Sequence, residues 1–354
     1  MVIEKLTETR IRKIINDPVK TAEAINLVYI SDNTPGISRK KRGRTFCYYY
    51  GKKKVTDQDI LSRIKSLVLP PAWENVWICY KENGHLQATG LDARKRKQYR
   101  YHPLWNSLRN HTKFYRLMNF GRALPSIRKQ LEADLKLPGM PLDKVLAVIV
   151  SLMERTNIRV GNSVYEKLYG SFGLTTLKDK HVDIKGSSLR FSFVGKKGIR
   201  HDITLKNKKL AKLVSAAKEI PGKELFQYYD EEGNRRPVDS GMVNDYIKRI
   251  SGEDFTAKDF RTWAGTVNAF IALKDLGIAE NQAATKKAIV EALDRVAANL
   301  GNSRTICKKY YVHPVILSMY ENQGLKVFFE EEGREDNSGL SCEERIIMKI
   351  LEKA

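Results

Sequence analysis

Residues 142–158, LDKVLAVIVSLMERTNI, are apolar around nearly the whole circumference that a helix would present, with Asp143 near the opening as a start signal. A helix of this kind must be covered on every side, and it is shorter than the roughly 20 apolar residues that span a bilayer. The run therefore commits the chain to building a helical core around it. Residues 283–300 fit that core: Ile289, Leu293, Val296 and Leu300 share one face, and Gly301 is the expected C-terminal cap. One strand pair interrupts the helices. Leu189, Phe191 and Phe193 alternate with Arg190 and Ser192, and the run Gly195, Lys196, Lys197, Gly198 turns the chain toward Ile203 and Leu205.

Residues 1–104 have a different texture. Alternating stretches at 76–80 (VWICY) and 85–90 (HLQATG) are separated by turn residues, as strands are. Asp57 opens a helical pattern that Pro70 and Pro71 end. With 354 residues, 42% of them hydrophobic, the chain is long enough for two domains. The expected fold class is α+β. A small N-terminal antiparallel β-sheet domain with helices covers 1–104, and a larger, mainly α-helical domain carrying the β-hairpin covers 105–354.

Charge narrows the partner. Lys and Arg number 63 against 41 Asp and Glu, a formal net charge of +22. Residues 1–104 hold 21 basic and 10 acidic side chains, so half the excess sits in less than a third of the chain. That is an electrostatic footprint for polyanions. Cys47, Cys79, Cys307 and Cys342 are far apart and form no CxxC pair, which argues against a zinc site or a disulfide framework and fits a reducing cytosol. The opening MVIEKLTETRIRK lacks a signal-type apolar core, so a soluble, cytoplasmic protein without a membrane partner is expected. The sequence contains no Walker loop, GxGxxG or HExxH, and neither a nucleotide nor a metal cofactor is expected.

Four side chains suggest the chemistry. Tyr311 lies in LGNSRTICKKYYVHP (300–314), and upstream are Arg159 in NIRVGN, Lys196 in FVGKKG and Arg261 in KDFRTWAG. A phenol with an ordinary pKa of about 10 is a poor nucleophile at neutral pH. Guanidiniums that hold a phosphate's non-bridging oxygens offset the charge developing as a phenol attacks it. An ammonium can protonate the departing sugar oxygen, a role worth about 10²–10⁴-fold in rate. Singly, each has a plainer reading: Arg159 as a helix-end arginine, Lys196 and Lys197 as solvated turn lysines, Arg261 as a partner of Asp259 or Asp254, and Tyr311 as a core tyrosine.

In order and in flanking residues, the four segments resemble the type IB DNA topoisomerases, specifically the compact poxvirus and bacterial branch. That family carries an arginine in an IRxGN or IRxGK helix, a lysine in a β-hairpin GK, an arginine in KxxR and a tyrosine in a KxYxxP-like helix. Arg159, Lys196, Arg261 and Tyr311 fill those places. The family's fifth place, nine residues before the tyrosine, is histidine in viral members and asparagine in bacterial ones; here it is Asn302. The phrases PPAW, HLQATG and KQYRY extend the resemblance into the N-terminal third. Two positions depart from the pattern. Tyr310 replaces the common serine, so two tyrosines compete, and the spacings to Asn302 and Pro314 favour Tyr311. Arg304 replaces a proline and adds charge beside the site.

The resemblance implies a monomer that clamps supercoiled double-stranded DNA between its two domains and relaxes it without ATP or metal. Tyr311 would form a 3′-phosphotyrosyl link while Arg159 and Arg261 stabilise the pentacoordinate phosphate. Asn302 would donate to a non-bridging oxygen, and Lys196, assisted by Arg159, would protonate the leaving 5′-oxygen. Gly161, Asn162 and Tyr165 are the expected supports beside the phosphate. A tyrosine recombinase shares this chemistry but usually shows HxxR where this chain has KDFR (258–261). A non-enzymatic DNA-binding protein would explain the charge but not the constellation.

DNA grip is expected from two stretches. Residues 39–54 hold eight basic residues and no acid, interleaved with Phe46, Tyr48, Tyr49 and Tyr50, and 94–101 reads RKRKQYRY. Arg94, Arg96 and Lys97 would neutralise phosphates. The resemblance makes Gln98, Tyr99 and Tyr101 DNA contacts, the first at a base edge. Composition alone shows only basic plus aromatic residues, which a solvated basic hairpin also provides.

Overall fold

The alternating, β-rich stretches of the N-terminal third pair into one antiparallel sheet of order β3-β2-β1-β4-β5-β6. Its strands are β1 (Ile37–Arg42), β2 (Thr45–Tyr50), β3 (Lys53–Lys54), β4 (Glu74–Ile78), β5 (Leu86–Leu91) and β6 (Lys97–Tyr101). The computed structural model describes residues 17–43, 45–92, 95, 97–331 and 338–353, without the side chains of 109–113 and 115. Arg94 and Arg96 lie outside the described residues. The helix Gln58–Ser66 is capped by Asp57, whose carboxylate accepts from the Asp59 and Ile60 amides. It adds Ile64 to a cluster with Ile37, Val76, Ile78 and Ala88. The helix stops at Leu67, ahead of Pro70 and Pro71. β5 is buried on both faces, so its polar residues must find partners. Gln87 donates to the Glu82 and Gly84 carbonyls and accepts from Arg63, and Thr89 donates to Asp32.

The chain forms two compact units, Met1–Tyr115 and Arg116–Ala354, and the helix Pro103–Asp134 carries the backbone from one to the other. In the second unit the apolar run of the sequence becomes the helix Leu142–Thr156, buried on all sides from Val145 to Met153. Each fully covered Leu, Ile or Val there is worth about 1.5–3 kcal/mol of burial. The helices Lys208–Lys218, Ser240–Ser251, Ala257–Leu276 and Gln282–Leu300 contribute to the same core. The hairpin lies in a three-stranded antiparallel sheet of β7 (Val182–Lys185), β8 (Ser188–Val194) and β9 (Arg200–Lys206). Leu189, Phe191 and Phe193 point into the core while Arg190, Ser192 and Val194 face out. A small ladder, β10 (Gln227–Tyr229) with β11 (Arg235–Pro237), completes the strands. The fold is α+β. No helix among the described residues is long and apolar enough to cross a membrane.

Candidate active site

The site is built from helix ends. The Leu142–Thr156 helix stops at Asn157, which adopts a left-handed conformation (φ 56°). Arg159 follows in an extended segment rather than inside a helix, the family pattern notwithstanding. The Leu174 and Thr175 amides hydrogen-bond the Arg159 and Val160 carbonyls at 2.9 and 2.7 Å, which fixes this segment. Gly161 (φ 99°) packs directly against Gly173, where a side chain would collide with backbone. Asn162 spends its side-chain oxygen capping the helix Ser163–Tyr169, accepting from the Val164 and Tyr165 amides, and so sets the position of Tyr165.

The guanidinium of Arg159 donates to the Gly301 carbonyl at 3.0 Å and to Asn302 Oδ1 at 2.8 Å. Arg261, 5% exposed, donates to the Leu300 carbonyl at 2.7 Å and to the Asn157 carbonyl, both at helix C-termini. Those ends carry partial negative charge and suit a cation. The alternative pairing of Arg261 with Asp259 or Asp254 is not what the structure holds. Asp259 closes a capping box with Thr256, and Asp254 meets Lys248 at 2.6 Å. Burial, reinforced by the charge of Arg261, pushes Arg159 down to about 10. Arg261 Nε is buried without a hydrogen-bond partner.

Tyr311 caps the short helix Arg304–Tyr310, and its ring lies 5.2 Å from the Arg261 guanidinium carbon. Two residues of the Arg261 helix pin its backbone. Gly265 lies so close that a Cβ there would sit 2.5 Å from the Tyr311 carbonyl oxygen. Thr266 Oγ1, whose proton has the Thr262 carbonyl at 2.9 Å, lies 3.3 Å from that oxygen and accepts from the His313 amide at 3.1 Å. Neither residue stood out in the sequence, because each acts across some 45 residues; the small residues one turn after Arg261 were the only signal. Cys307 is wholly buried, and its thiol is pushed up to about 11 by that burial, against the pull of both arginines. Arg304 does not add net charge to the site: Asp294 receives it through two hydrogen bonds of 2.7 and 2.6 Å.

Lys196 stands apart from this cluster on the turn between β8 and β9, where Lys197 (φ 65°) and Gly198 (φ 76°) reverse the chain. Its ammonium lies 5.8 Å from the Tyr165 ring centroid. The structure thus groups Arg159, Arg261, Asn302 and Tyr311, and puts Lys196 over Tyr165 on an exposed turn. A buried guanidinium and a half-buried one beside a phenol, with an amide alongside, can receive a phosphodiester and stabilise attack on it.

In the N-terminal unit the remaining candidates lie on the edge strand β6. Alternation places Lys97, Tyr99 and Tyr101 on one face and Gln98 on the other. The Tyr99 and Tyr101 rings stack at 6.0 Å, and Lys97 lies over Tyr99 while pairing with Asp32 at 2.6 Å. Gln98 donates to Asp92 at 2.9 Å, which fixes the orientation of its amide.

Comparison with known proteins points to one family. Residues 95–332 match the family described as eukaryotic DNA topoisomerase I, catalytic core, and residues 45–92 match the bacterial DNA topoisomerase IB N-terminal domain. The DNA topoisomerase 1B of Acanthamoeba polyphaga mimivirus is 34% identical over 85% of this chain and 91% of its own length. The DNA topoisomerase 1B of Vaccinia virus (strain Copenhagen) is 23% identical over 66% of this chain and 72% of its own. The chain belongs to the type IB DNA topoisomerases.

Proposed function

We propose that this protein relaxes supercoiled duplex DNA as a cytoplasmic monomer, cutting and resealing one strand with Tyr311 and needing neither nucleotide nor metal. The observation that carries the reading is the pair of guanidiniums, packed beside the Tyr311 ring and without a carboxylate partner among the described residues. The Tyr311 phenol oxygen attacks the phosphorus and loses its proton to solvent. The new O–P bond forms as the bond to the 5′-oxygen breaks, and Lys196 gives that oxygen a proton. Arg159 and Arg261 hold the non-bridging oxygens. Asn302, whose amide oxygen is taken by Arg159, offers its NH₂ group to one of them. The phosphotyrosyl link keeps the phosphodiester's energy, so the freed 5′-hydroxyl can attack in reverse after the strand has turned.

The test is relaxation of positively and negatively supercoiled plasmid by the purified protein in EDTA without ATP. Relaxation of both, with a covalent adduct that Tyr311→Phe abolishes while DNA binding persists, is the expected result. Binding without relaxation would sink the reading and leave a DNA-binding protein. Joining of two recombination sites would make it a recombinase.

A further inference from the structure

Lys196 sits on an exposed turn, whereas Arg159, Arg261 and Asn302 are tied to helix ends. His201 touches both sides. It stands on β9 opposite Phe193, the two rings stacked at 5.0 Å and 21°. From there its outer edge is wedged between two glycines. A Cβ built on Gly195, next to Lys196, would lie 2.6 Å from His201 Cδ2 and Nε2. One built on Gly301, next to Asn302, would lie 2.5 Å from His201 Cε1. The ring therefore rests on bare backbone at both places, and neither glycine can take a side chain without displacing it. Both backbones belong to the machinery: the Gly195 amide closes the turn on the Ile199 carbonyl at 2.7 Å, and the Gly301 carbonyl receives Arg159. Burial, together with Arg159 and Arg261, holds the imidazole pKa below its usual value, so the wedge adds no third cation at neutral pH.

We propose that His201 is a positioning residue for the reaction: its ring docks the Lys196 turn against the Gly301–Asn302 loop, so that lysine, Arg159 and Asn302 meet one phosphate together. The proposal rests on the transesterification reading above. Proton transfer needs an approach of about 2.6–3.2 Å. A long side chain on an undocked turn would seldom reach it, so the lysine's step is the one that depends most on the dock.

The experiment is single-turnover cleavage of a duplex built around the strongest cleavage site mapped for the unsubstituted protein. The scissile phosphodiester is either ordinary or carries sulfur in place of the leaving 5′-oxygen. A thiolate departs without a proton, so the sulfur substrate bypasses Lys196. His201→Ala is expected to slow the oxygen substrate about 10²-fold and to leave the sulfur substrate close to the unsubstituted rate. Gly195→Ala keeps the histidine but pushes on it from the turn, and should give the same split. In the double variant the added methyl enters the space that the ring vacates, so it should be no slower than either single variant. Equal slowing on both substrates, no slowing on either, or losses that multiply in the double variant would overturn the proposal. If the unsubstituted protein forms no adduct through Tyr311, the transesterification reading itself fails, and the dock with it.

Discussion

Arg159 and Arg261 repel each other across a partly dry site, and no carboxylate among the described residues relieves them; carbonyls and one amide do what they can. An anion that enters between them removes a cost as well as adding contacts. Inorganic sulfate is therefore expected to raise the melting temperature by more than its general salting effect. At a hundredfold excess over its dissociation constant, a site ligand stabilises by about 2.7 kcal/mol. For a unit of this size that is on the order of 5–10 °C. Melting curves of unsubstituted protein and Arg159→Ala across a sulfate series check this, and identical rises would place the anion elsewhere. The same scale separates the two adjacent tyrosines. Tyr311 has Arg261 at its ring and Thr266 at its carbonyl, whereas the Tyr310 ring lies beneath Lys309 at 5.3 Å. Tyr310→Phe is expected to keep the covalent adduct on plasmid DNA and Tyr311→Phe to lose it. The opposite pattern would move the nucleophile by one residue.

Among the elements, the helix Cys342–Lys353 is latched to the rest through a buried carboxylate as well as its apolar face. Glu344, buried, accepts two hydrogen bonds from Arg128 at 2.8 Å, one from Trp263 Nε1 at 2.9 Å and one from the Ser341 amide at 2.8 Å. Trp263 lies two residues beyond Arg261 on the same helix, so the latch also braces the active-site helix. Glu344→Ala leaves Arg128 with Glu154, at 2.7 Å, as its one carboxylate partner among the described residues. A loss of about 3 kcal/mol is expected, read as a lower denaturant midpoint; a midpoint unchanged within error would mean the latch contributes little. Nothing in the sequence announces this arrangement, because Arg128 and Trp263 lie 216 and 81 residues from Glu344, and the two charged partners each read locally as a surface charge. What could be read locally was read: the Asp57 cap, the Gly301 stop, the alternation of β8 and the apolar run of the central helix each depend on neighbours within a turn or two. Arg159 shows where such reading stops. Asn157 ends its helix two residues early, and the arginine's partners come from the far end of the helix Gln282–Leu300. The candidate residues on β6 were legible as basic plus aromatic, while the stacking of Tyr99 on Tyr101 and the bond from Gln98 to Asp92 needed the folded structure.

Across the whole molecule, histidines set the response to mild acid. His102 and His181 each accept a backbone amide at Nδ1, from Leu104 at 3.2 Å and Lys178 at 3.0 Å, which requires the neutral ring. Burial lowers both, with Lys180 and Lys178 adding to the effect at His181 and with Glu82 and Glu166 pulling weakly the other way. At His201, burial comes first and then Arg159 and Arg261. All three therefore resist protonation when folded, whereas in the unfolded chain they titrate near about 6.5. Below that value the unfolded chain binds more protons than the native one, so stability must fall as the pH drops through 6.5 toward the lower folded values. Paired carboxylates such as Asp32 and Asp294 act in a separate window, their contribution being lost only below about 4. The denaturant midpoint should thus decline between about pH 6.5 and 5, above the window in which those paired carboxylates take up protons. Because one of the three rings lies in the active site and two outside it, His181→Gln should flatten that decline without altering the oxygen-to-sulfur cleavage ratio. A midpoint that stays level or rises down to pH 5 would mean that these rings accept protons in the folded protein as readily as in the unfolded chain.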